Sequence, residues 1–500
     1  MTATTKVFQH EQPNKPSLTR SVTSAPPIAI LGVPFDNVTI SETVHLIDVM
    51  VASGNQHYMA TANVDFLVQA QDDVELRRIL MDAHLVLCDG TPLLWASRLL
   101  GNPLPERVAG SDLVPLLIGI AAKKKYRIFF LGGTPESTAQ AVKNMEAAHP
   151  DLIIAGHYSP PFSSLLDMDH EEIRRRILES QPDLLFVAFG CPKQEKWISM
   201  HYRSLGVPVS VGVGATIDFL AGTARRAPRW MQKSGTEWVF RLIQEPRRLF
   251  KRYAKDLFHF SRAIACQWWE MRHTQKQTEA APVTAASTPQ AWQRVRLPRR
   301  VDIETVRRDT MLCEEALSNS RCCLLELNNV EFIDSTGMGL LIRLQKKARI
   351  TARQLILVAP SNAVMSALKL MRLQDFFTIV RNIQEGLNLL ENAPGKAVFI
   401  QPNYFPSKPA LCWRGEITAA NVEEVWETTE GHIIGAGSQS KITIDLSSLR
   451  FIDSAGVGLM IRASKKAKVN GAKLEFIGMQ PNVRNVLRIA KLETILLGAA

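Results

Sequence analysis

Short apolar runs alternate with amphipathic stretches through the first half of the chain. The runs that predict strands are IAILGV, HYMATAN, AHLVLCD, RIFFLGG, DLLFVAF and VSVGVGA. Short apolar runs divided by helical segments are typical of a mostly parallel sheet that is buried on both faces. The pattern therefore predicts a Rossmann-like α/β domain with flanking helices, whose ligand lies at the carboxyl ends of the strands.

The second half of the chain contains an internal repeat. Residues 324–348 (LLELNNVEFIDSTGMGLLIRLQKKA) align without a gap with residues 443–467 (TIDLSSLRFIDSAGVGLMIRASKKA). Each copy has the pattern of a strand, a loop, a helix, a second strand and a second amphipathic helix. Register kept through this many elements indicates a duplicated small α/β domain.

Two polar stretches divide the chain, which at 500 residues is too long for one hydrophobic core. The first 26 residues and residues 273–298 are rich in Thr, Ser, Ala, Gln and Pro, so they cannot bury enough apolar surface to fold alone. The predicted units are a flexible tail at 1–26, a first domain at 27–260 with a basic appendage at 222–260, an amphipathic extension and linker at 261–298, and two small domains at 299–394 and 397–500.

Positive charge is concentrated in one segment. The net charge of +11 suggests a polyanionic partner, and residues 222–256 hold ten Lys/Arg against three acids, with aromatic residues between them. Such a stretch is typical of segments that bind the headgroup layer of an anionic membrane, and its arginines could contact a diphosphate. Ile264–Met271 (IACQWWEM) is expected to extend this membrane-binding stretch. The alternative is a solvated basic helix packed on its own domain. Without a nucleic-acid-binding motif, we predict no nucleic-acid partner.

The cysteines and the first residues of the sequence indicate the expected cellular compartment. The seven cysteines lack zinc-binding spacing, which predicts reduced, mostly buried thiols of a cytosolic protein. The start lacks the apolar run of a secretory signal, and no later stretch has the ~18 apolar residues of a membrane span. We therefore expect a cytoplasmic protein, peripheral on the inner face of the membrane.

Asp167-Met168-Asp169 has a DxD metal pattern, but at the start of a charged helix it predicts capping, with no metal.

Polar residues follow several predicted strands and form the candidate site. They are Thr61 and Asn63 (TANVD), Asp89 (CDGTP), Arg107 (ERVAGSD) and Gln194 (GCPKQE). A carboxylate can deprotonate an acceptor hydroxyl, and Asn and Gln amides can bind a base edge or sugar hydroxyls. The alternatives are a turn aspartate before Gly90 and caps at strand ends. The LGGTPE glycines fit a phosphate site or a tight turn.

These motifs together resemble one family. TANVDFL, LCDGTPLLWASRLLG, ERVAGSDL, FFLGGTPE, AFGCPKQEKWI, GVGATIDFLAGTARRAPRWMQ and GTEWVFRLIQEPRRLFKRY occur in order over residues 28–260, and they resemble the WecG/TagA/CpsF bacterial glycosyltransferases (glycosyltransferase family 26). The resemblance implies inverting transfer, without metal or cofactor, of a sugar from a UDP-sugar to a polyprenyl-diphosphate-linked acceptor at the cytoplasmic membrane face. Synthesis of an exopolysaccharide or cell-wall glycan is the expected setting.

The resemblance also implies roles for residues. Asp89 corresponds to the proposed general base, and Thr61 and Asn63 to the sugar-nucleotide pocket. Arg107 and Gln194 correspond to further UDP-sugar or acceptor contacts. The basic appendage corresponds to the part that closes the site and contacts the lipid diphosphate, and its candidates are Arg229, Arg241 and Arg248.

The duplicated domains resemble STAS domains, the fold of anti-sigma-factor antagonists. The resemblance rests on Asp334-Ser335-Thr336-Gly337 and Asp453-Ser454-Ala455-Gly456, and it makes Ser335 and Ser454 candidate phosphoacceptors for a partner kinase. The alternative is that the motif is an N-cap. Two functions follow: a membrane-peripheral glycosyltransferase with STAS domains for regulation or docking, or a signalling scaffold acting through STAS phosphorylation with a catalytically silent sugar-nucleotide-binding domain.

Overall fold

A computed structural model of the protein describes residues 26–234, 236–274, 284–285, 292–351, 353–391, 398–405, 408–436, 441–493 and 496. The strands of the first domain are β1 (Ile28–Ile30), β2 (Val33–Phe35), β3 (His57–Ala62), β4 (Leu85–Cys88), β5 (Arg127–Gly132), β6 (Ile153–Tyr158), β7 (Leu184–Ala188) and β8 (Val209–Gly212). Its helices are α1 (Ile40–Ser53), α2 (Val64–Asp72), α3 (Val74–Asp82), α4 (Thr91–Leu99), α5 (Gly110–Lys124), α6 (Pro135–Ala148), α7 (His170–Ser180), α8 (Lys193–His201), α9 (Thr216–Ala221), α10 (Arg229–Ser234), α11 (Glu237–Gln244) and α12 (Pro246–Thr274).

The first domain is built on a six-stranded parallel sheet in the order β4-β3-β8-β7-β5-β6, which confirms the predicted fold class. One predicted strand differs. IAILGV forms the antiparallel hairpin β1–β2, because Leu31 and Gly32 take positive φ angles of 49° and 84° and reverse the chain. The sheet instead gains β6 (IIAGHY), whose half-buried strand lacks a continuous apolar run.

The two small domains follow the repeat. The first contains β9 (Thr284–Ala285), β10 (Trp292–Arg296), β11 (Arg300–Val301), α13 (Ile303–Ser318), β12 (Cys322–Glu326), β13 (Phe332–Ile333), α14 (Ser335–Ile350), β14 (Gln354–Val358), α15 (Asn362–Leu370), β15 (Thr378–Val380) and α16 (Ile383–Glu391). The second contains β16 (Val398–Phe405), β17 (Lys408–Ile417), α17 (Val422–Gly435), β18 (Lys441–Ile452), α18 (Ser454–Val469), β19 (Lys473–Ile477) and α19 (Pro481–Ile489). Since β10 pairs with β12, the first small domain extends before residue 299, into the stretch assigned to the linker.

Helix α12 joins the appendage to the extension in one continuous element. Phe260, Ile264 and Gln267 are buried on it, with Gln267 donating to the Ala29 carbonyl and accepting from the Leu31 amide. The expectation that Ile264–Met271 extends the membrane-binding stretch is therefore wrong for Ile264 and Gln267, because they pack inside the protein; Trp269 remains 61% exposed. None of the helices in the described ranges is long and apolar enough to cross a membrane.

Helix α3 of the first domain contacts both small domains. Arg78 lies 3.2 Å from Asp82 of the same helix and 2.5 Å from Glu416 of the second small domain. Arg349 of the first small domain lies 3.0 Å from Asp82 and 3.6 Å from Glu416. This ion network therefore joins all three domains. The seven cysteines are free and five of them are buried, in agreement with the prediction of mostly buried thiols.

Candidate active site

The carboxyl ends of the strands bring the predicted polar residues together. Thr61 at the end of β3 donates from Oγ1 to the Gly212 carbonyl at the end of β8, over 3.3 Å. The Asp89 amide, just after β4, donates to the Ala62 carbonyl at 2.9 Å. A Cβ at Gly90 would lie 3.9 Å from that of Asn63, so the loops after β3 and β4 are neighbours.

Asp89 is half-buried at this edge of the sheet. Burial raises the pKa of its carboxyl to about 6, and nearby Glu237 adds to the rise. Arg107 and Arg241 oppose the shift, as does the backbone amide of Gly110. A carboxylate with a pKa just below neutral is ionised at pH 7 and basic enough to accept a proton from a hydroxyl.

The appendage reaches Asp89 through a buried carboxylate, Glu237, which is only 6% exposed. Arg107 donates to Glu237 at 3.1 Å and to Asp112 at 2.7 Å. Arg241 donates to Glu237 at 3.3 Å. Although burial favours the neutral guanidinium, Asp89 and Glu237 overcome this and raise the pKa of Arg107. The appendage thus places both a carboxylate and a guanidinium beside the candidate base.

Of the three arginines predicted to contact a diphosphate, only Arg241 has a described side chain; those of Arg229 and Arg248 lie outside the described part of the structure. Arg241 also lies over the Phe219 ring, 5.2 Å from its centre. Arg226, which the sequence did not single out, donates to Asp112 and, at 3.1 Å, to Ser111 Oγ. It therefore joins the same cluster from the start of the appendage.

Gln194 is engaged within the loops at the sheet edge. Its Oε1 accepts from the Gly190 and Gly214 amides at 3.2 Å each, and its Nε2 donates to Glu195 at 2.7 Å. Gln194 thereby fixes the loops after β7 and β8. Glu195, which the sequence pattern did not mark as a site residue, is 3% exposed, and its Oε2 has no hydrogen-bond partner among the described residues. Burial raises the pKa of Glu195 to about 7.

Several motifs also have local structural roles. Asn63 caps α2 by accepting from the Phe66 amide at 3.3 Å. Gly133 has a φ of 72°, and a Cβ there would lie 2.7 Å from Thr138 Oγ1, so the LGGTPE glycines form a tight turn. Asp169 caps α7 through the Glu172 amide, as predicted. Among the described residues, no group of three or more His, Cys, Asp or Glu is arranged to hold a metal ion.

The outer face of the appendage is apolar and cationic. Its exposed side chains include Trp230, Trp238, Ile243, Phe250 and Phe258, which are 46–71% exposed. A groove of 660 Å³ is lined by Leu242, Ile243, Pro246, Arg247, Phe250 and Lys251. Exposed apolar surface of this extent rimmed by cations is typical of membrane-binding elements.

In both small domains the aspartate of the repeat motif is a helix N-cap. Asp334 accepts from the Thr336 and Gly337 amides at 2.8 Å, and Asp453 accepts from the Gly456 amide at 3.0 Å. Burial raises the pKa of Asp334 to about 6 and that of Asp453 to about 7. The candidate phosphoacceptors that follow them, Ser335 and Ser454, are buried against the first domain.

Taken together, the parallel sheet, the polar residues at its carboxyl edge and the covering appendage define an α/β domain with a candidate site, followed by two small α/β domains. Residues 28–274 match the glycosyl transferase WecG/TagA/CpsF family, residues 287–386 match the STAS domain, and residues 406–498 match the Mlab, STAS domain. The chain belongs to the WecG/TagA/CpsF family of glycosyl transferases and carries two STAS domains.

Similar proteins include the N-acetylglucosaminyldiphosphoundecaprenol N-acetyl-beta-D-mannosaminyltransferases of Staphylococcus aureus strains MW2 and NCTC 8325. Each is 30% identical over 240 residues, which cover 48% of this chain and 92% of the relative. Among solved structures, the anti-sigma factor antagonist SpoIIAA in its unphosphorylated form is similar at 21% identity. The match covers 21% of this chain and 88% of that chain, with a TM-score of 0.18.

Proposed function

We propose that the protein is an inverting, metal-independent glycosyltransferase that moves a sugar from a UDP-sugar to a polyprenyl-diphosphate-linked acceptor, with its STAS domains serving regulation or docking. The observation that carries the proposal is Asp89, which has a pKa of about 6 and lies beside Arg107 and the appendage residue Arg241. The Staphylococcus aureus relatives, whose names specify a lipid-diphosphate acceptor and an N-acetylmannosaminyl group, support the same chemistry.

The reaction follows from these charges. The Asp89 carboxylate takes the proton of the acceptor hydroxyl while that oxygen forms a bond to the anomeric carbon, opposite the leaving UDP. The bond from this carbon to the diphosphate oxygen breaks, and its electron pair leaves with UDP. In this proposal Arg107 and Arg241 neutralise the charge that grows on the diphosphate, which is the role of a metal ion in metal-dependent enzymes.

The direct test is a donor screen with the full chain. UDP-N-acetylmannosamine, its uronic acid and UDP-glucose would each be incubated with a polyprenyl-diphosphate-linked N-acetylglucosamine, and UDP release would be measured with and without EDTA. We expect release with one donor, dependent on the acceptor and unchanged by EDTA. Release that EDTA abolishes would contradict metal independence, and the absence of release with every donor would contradict the transfer reaction.

The pH dependence should report the charges around Asp89. Because Asp89 must be ionised to act as a base, kcat/KM should fall about tenfold per pH unit below pH 6. Arg107→Gln removes a charge that lowers the pKa of Asp89, so the fall should begin at a higher pH. Glu237→Gln removes a charge that raises this pKa, so the fall should begin at a lower pH. Equal pH profiles for the two variants would contradict this assignment.

The expected location is the cytoplasmic face of the membrane. The basic appendage carries both the exposed apolar residues and Arg241, so one element would bind an anionic surface and cover the site where the lipid-linked acceptor reacts. This arrangement would keep the diphosphate of the acceptor near the membrane surface while its sugar reaches Asp89.

A further inference from the structure

Both STAS domains present the same end of the same helix to the transferase domain. Ser335 begins α14, and its Oγ accepts from Gln267 Nε2 at 2.8 Å. Ser454 begins α18, and its Oγ donates to Glu75 Oε2 at 2.8 Å while its amide donates to Glu75 Oε1. Ser335 is fully buried and Ser454 is 8% exposed. The surface that carries each serine is therefore occupied by the enzyme domain of the same chain.

The two serines meet residues of different charge. Gln267 is a neutral amide that is also bonded to Ala29 and Leu31, so it is held in place by the transferase domain. Glu75 is a carboxylate whose side chain is only 2% exposed. Glu75 and Asp73 share a single cation, Lys196, so this cluster keeps one net negative charge. A neutral hydroxyl that donates a hydrogen bond suits it, whereas a further negative group in the same place would be repelled with little screening by solvent.

Glu75 is joined directly to the helix that shapes the active site. Lys196 Nζ lies 2.8 Å from Glu75 Oε2 and 2.8 Å from Asp73 Oδ2. Lys196 follows Gln194 and Glu195 on α8; Gln194 fixes the loops at the sheet edge and donates to Glu195. Ser454, Glu75 and Lys196 thus form a continuous chain of polar contacts from the second STAS domain to the active-site helix.

We propose that the transferase domain is the docking partner of the second STAS domain, and that Glu75 is the residue that accepts Ser454. Glu75 and Lys196 are then positioning residues, because they act through α8. Docking orders this helix and, with it, Gln194 and Glu195 at the edge of the active site. Docking requires an uncharged Ser454, so a carboxylate or a phosphoryl group at this position releases the domain. The link to sugar transfer rests on the proposed function, whereas the docking itself does not.

The test of docking is hydrogen exchange on the full chain. Ser454→Asp is expected to speed amide exchange at least tenfold in α3 and at the start of α18, because it places a negative charge against Glu75. The double variant Ser454→Asp/Glu75→Gln should restore protection, since the glutamine amide donates to the introduced carboxylate. Ser448→Asp is the matched control, because Ser448 is exposed in the same domain; its exchange should equal that of the wild type.

Sugar transfer is measured in parallel on the same variants. Ser454→Asp should lower kcat/KM about 5- to 150-fold, the usual range of coupling between two sites, and Glu75→Gln should restore it in the double variant. Restoration by a second substitution is an effect that general damage to the fold does not produce.

The two measurements distinguish docking, the role of Glu75 and the coupling to α8. Unchanged exchange in Ser454→Asp would overturn docking, and faster exchange that Glu75→Gln fails to reverse would overturn the role of Glu75. Faster exchange with unchanged transfer would overturn the coupling to α8. If exchange follows the expected pattern but no variant, including the wild type, transfers sugar, the proposed function fails while the docking inference stands.

Discussion

Asp89→Asn is expected to lower the rate of UDP release by about 10²- to 10⁴-fold, the usual contribution of a positioned general base. Asparagine has nearly the same shape as aspartate, and its oxygen can still accept a hydrogen bond from the Gly110 amide. It cannot take a proton from the acceptor hydroxyl at neutral pH, so the loss should appear in kcat. Initial rates at saturating donor and acceptor would measure it.

The matched control for this experiment is Asp169→Asn. It makes the same chemical change at the N-cap of α7, where asparagine caps a helix about as well as aspartate. The control should release UDP at the wild-type rate, and both variants should melt at the wild-type temperature. If Asp89→Asn keeps a rate within a few-fold of the wild type, Asp89 is not the base.

The sequence predicted the sheet because burial on both faces leaves a direct signal. Strands such as β5 (RIFFLG) and β7 (LLFVA) are continuous apolar runs, and the helices between them are amphipathic. The signal fails where a strand is only half-buried, as in β6, or where a turn divides an apolar run, as at Leu31 and Gly32. The pattern of apolar residues indicates which segments are buried, but it does not show where a turn reverses the chain.

The site was predicted only in part, because sequence patterns do not show tertiary pairing. Thr61 lies at the end of β3, Asn63 follows it, and Asp89 follows the adjacent strand β4, so the topology of a parallel sheet brings them together. On sequence alone Glu237 is an acid in a basic segment, yet it is buried and binds Arg107 and Arg241. An acid at the start of an amphipathic helix, in a segment where cations outnumber acids, was the available signal for such a pairing.

The arrangement of the three domains left no trace in the hydrophobic pattern. It depends on Ala29 and Met81, which pack into the core of the first small domain, and on polar contacts between distant residues, such as Arg78 with Glu416 and Arg349 with Asp82. On sequence alone each of these is an ordinary charged residue in a helix or strand. The burial of both candidate phosphoacceptors follows from this docking, since each begins a helix whose end points at the transferase domain.

The second large effect is expected at the membrane. Ile243→Asp/Phe250→Asp should weaken binding to vesicles of anionic phospholipid by about 10²-fold or more. The two side chains are 71% and 62% exposed, so replacing them leaves the core intact. Burying a large apolar side chain contributes roughly 1.5–3 kcal/mol, and the loss of two such contacts corresponds to this factor. Sedimentation with vesicles at fixed salt would measure the binding.

The control for the membrane experiment is Leu116→Asp/Leu178→Asp. These residues are 48% and 43% exposed on α5 and α7, outside the appendage, so the same chemical change should leave vesicle binding unchanged. The appendage variant should still release UDP with a water-soluble, short-chain acceptor, because Arg241 and Glu237 are retained. Equal vesicle binding by the two double variants would show that the exposed face of the appendage is not the membrane contact. Loss of transfer with both acceptors would instead place Ile243 and Phe250 in the closure of the active site.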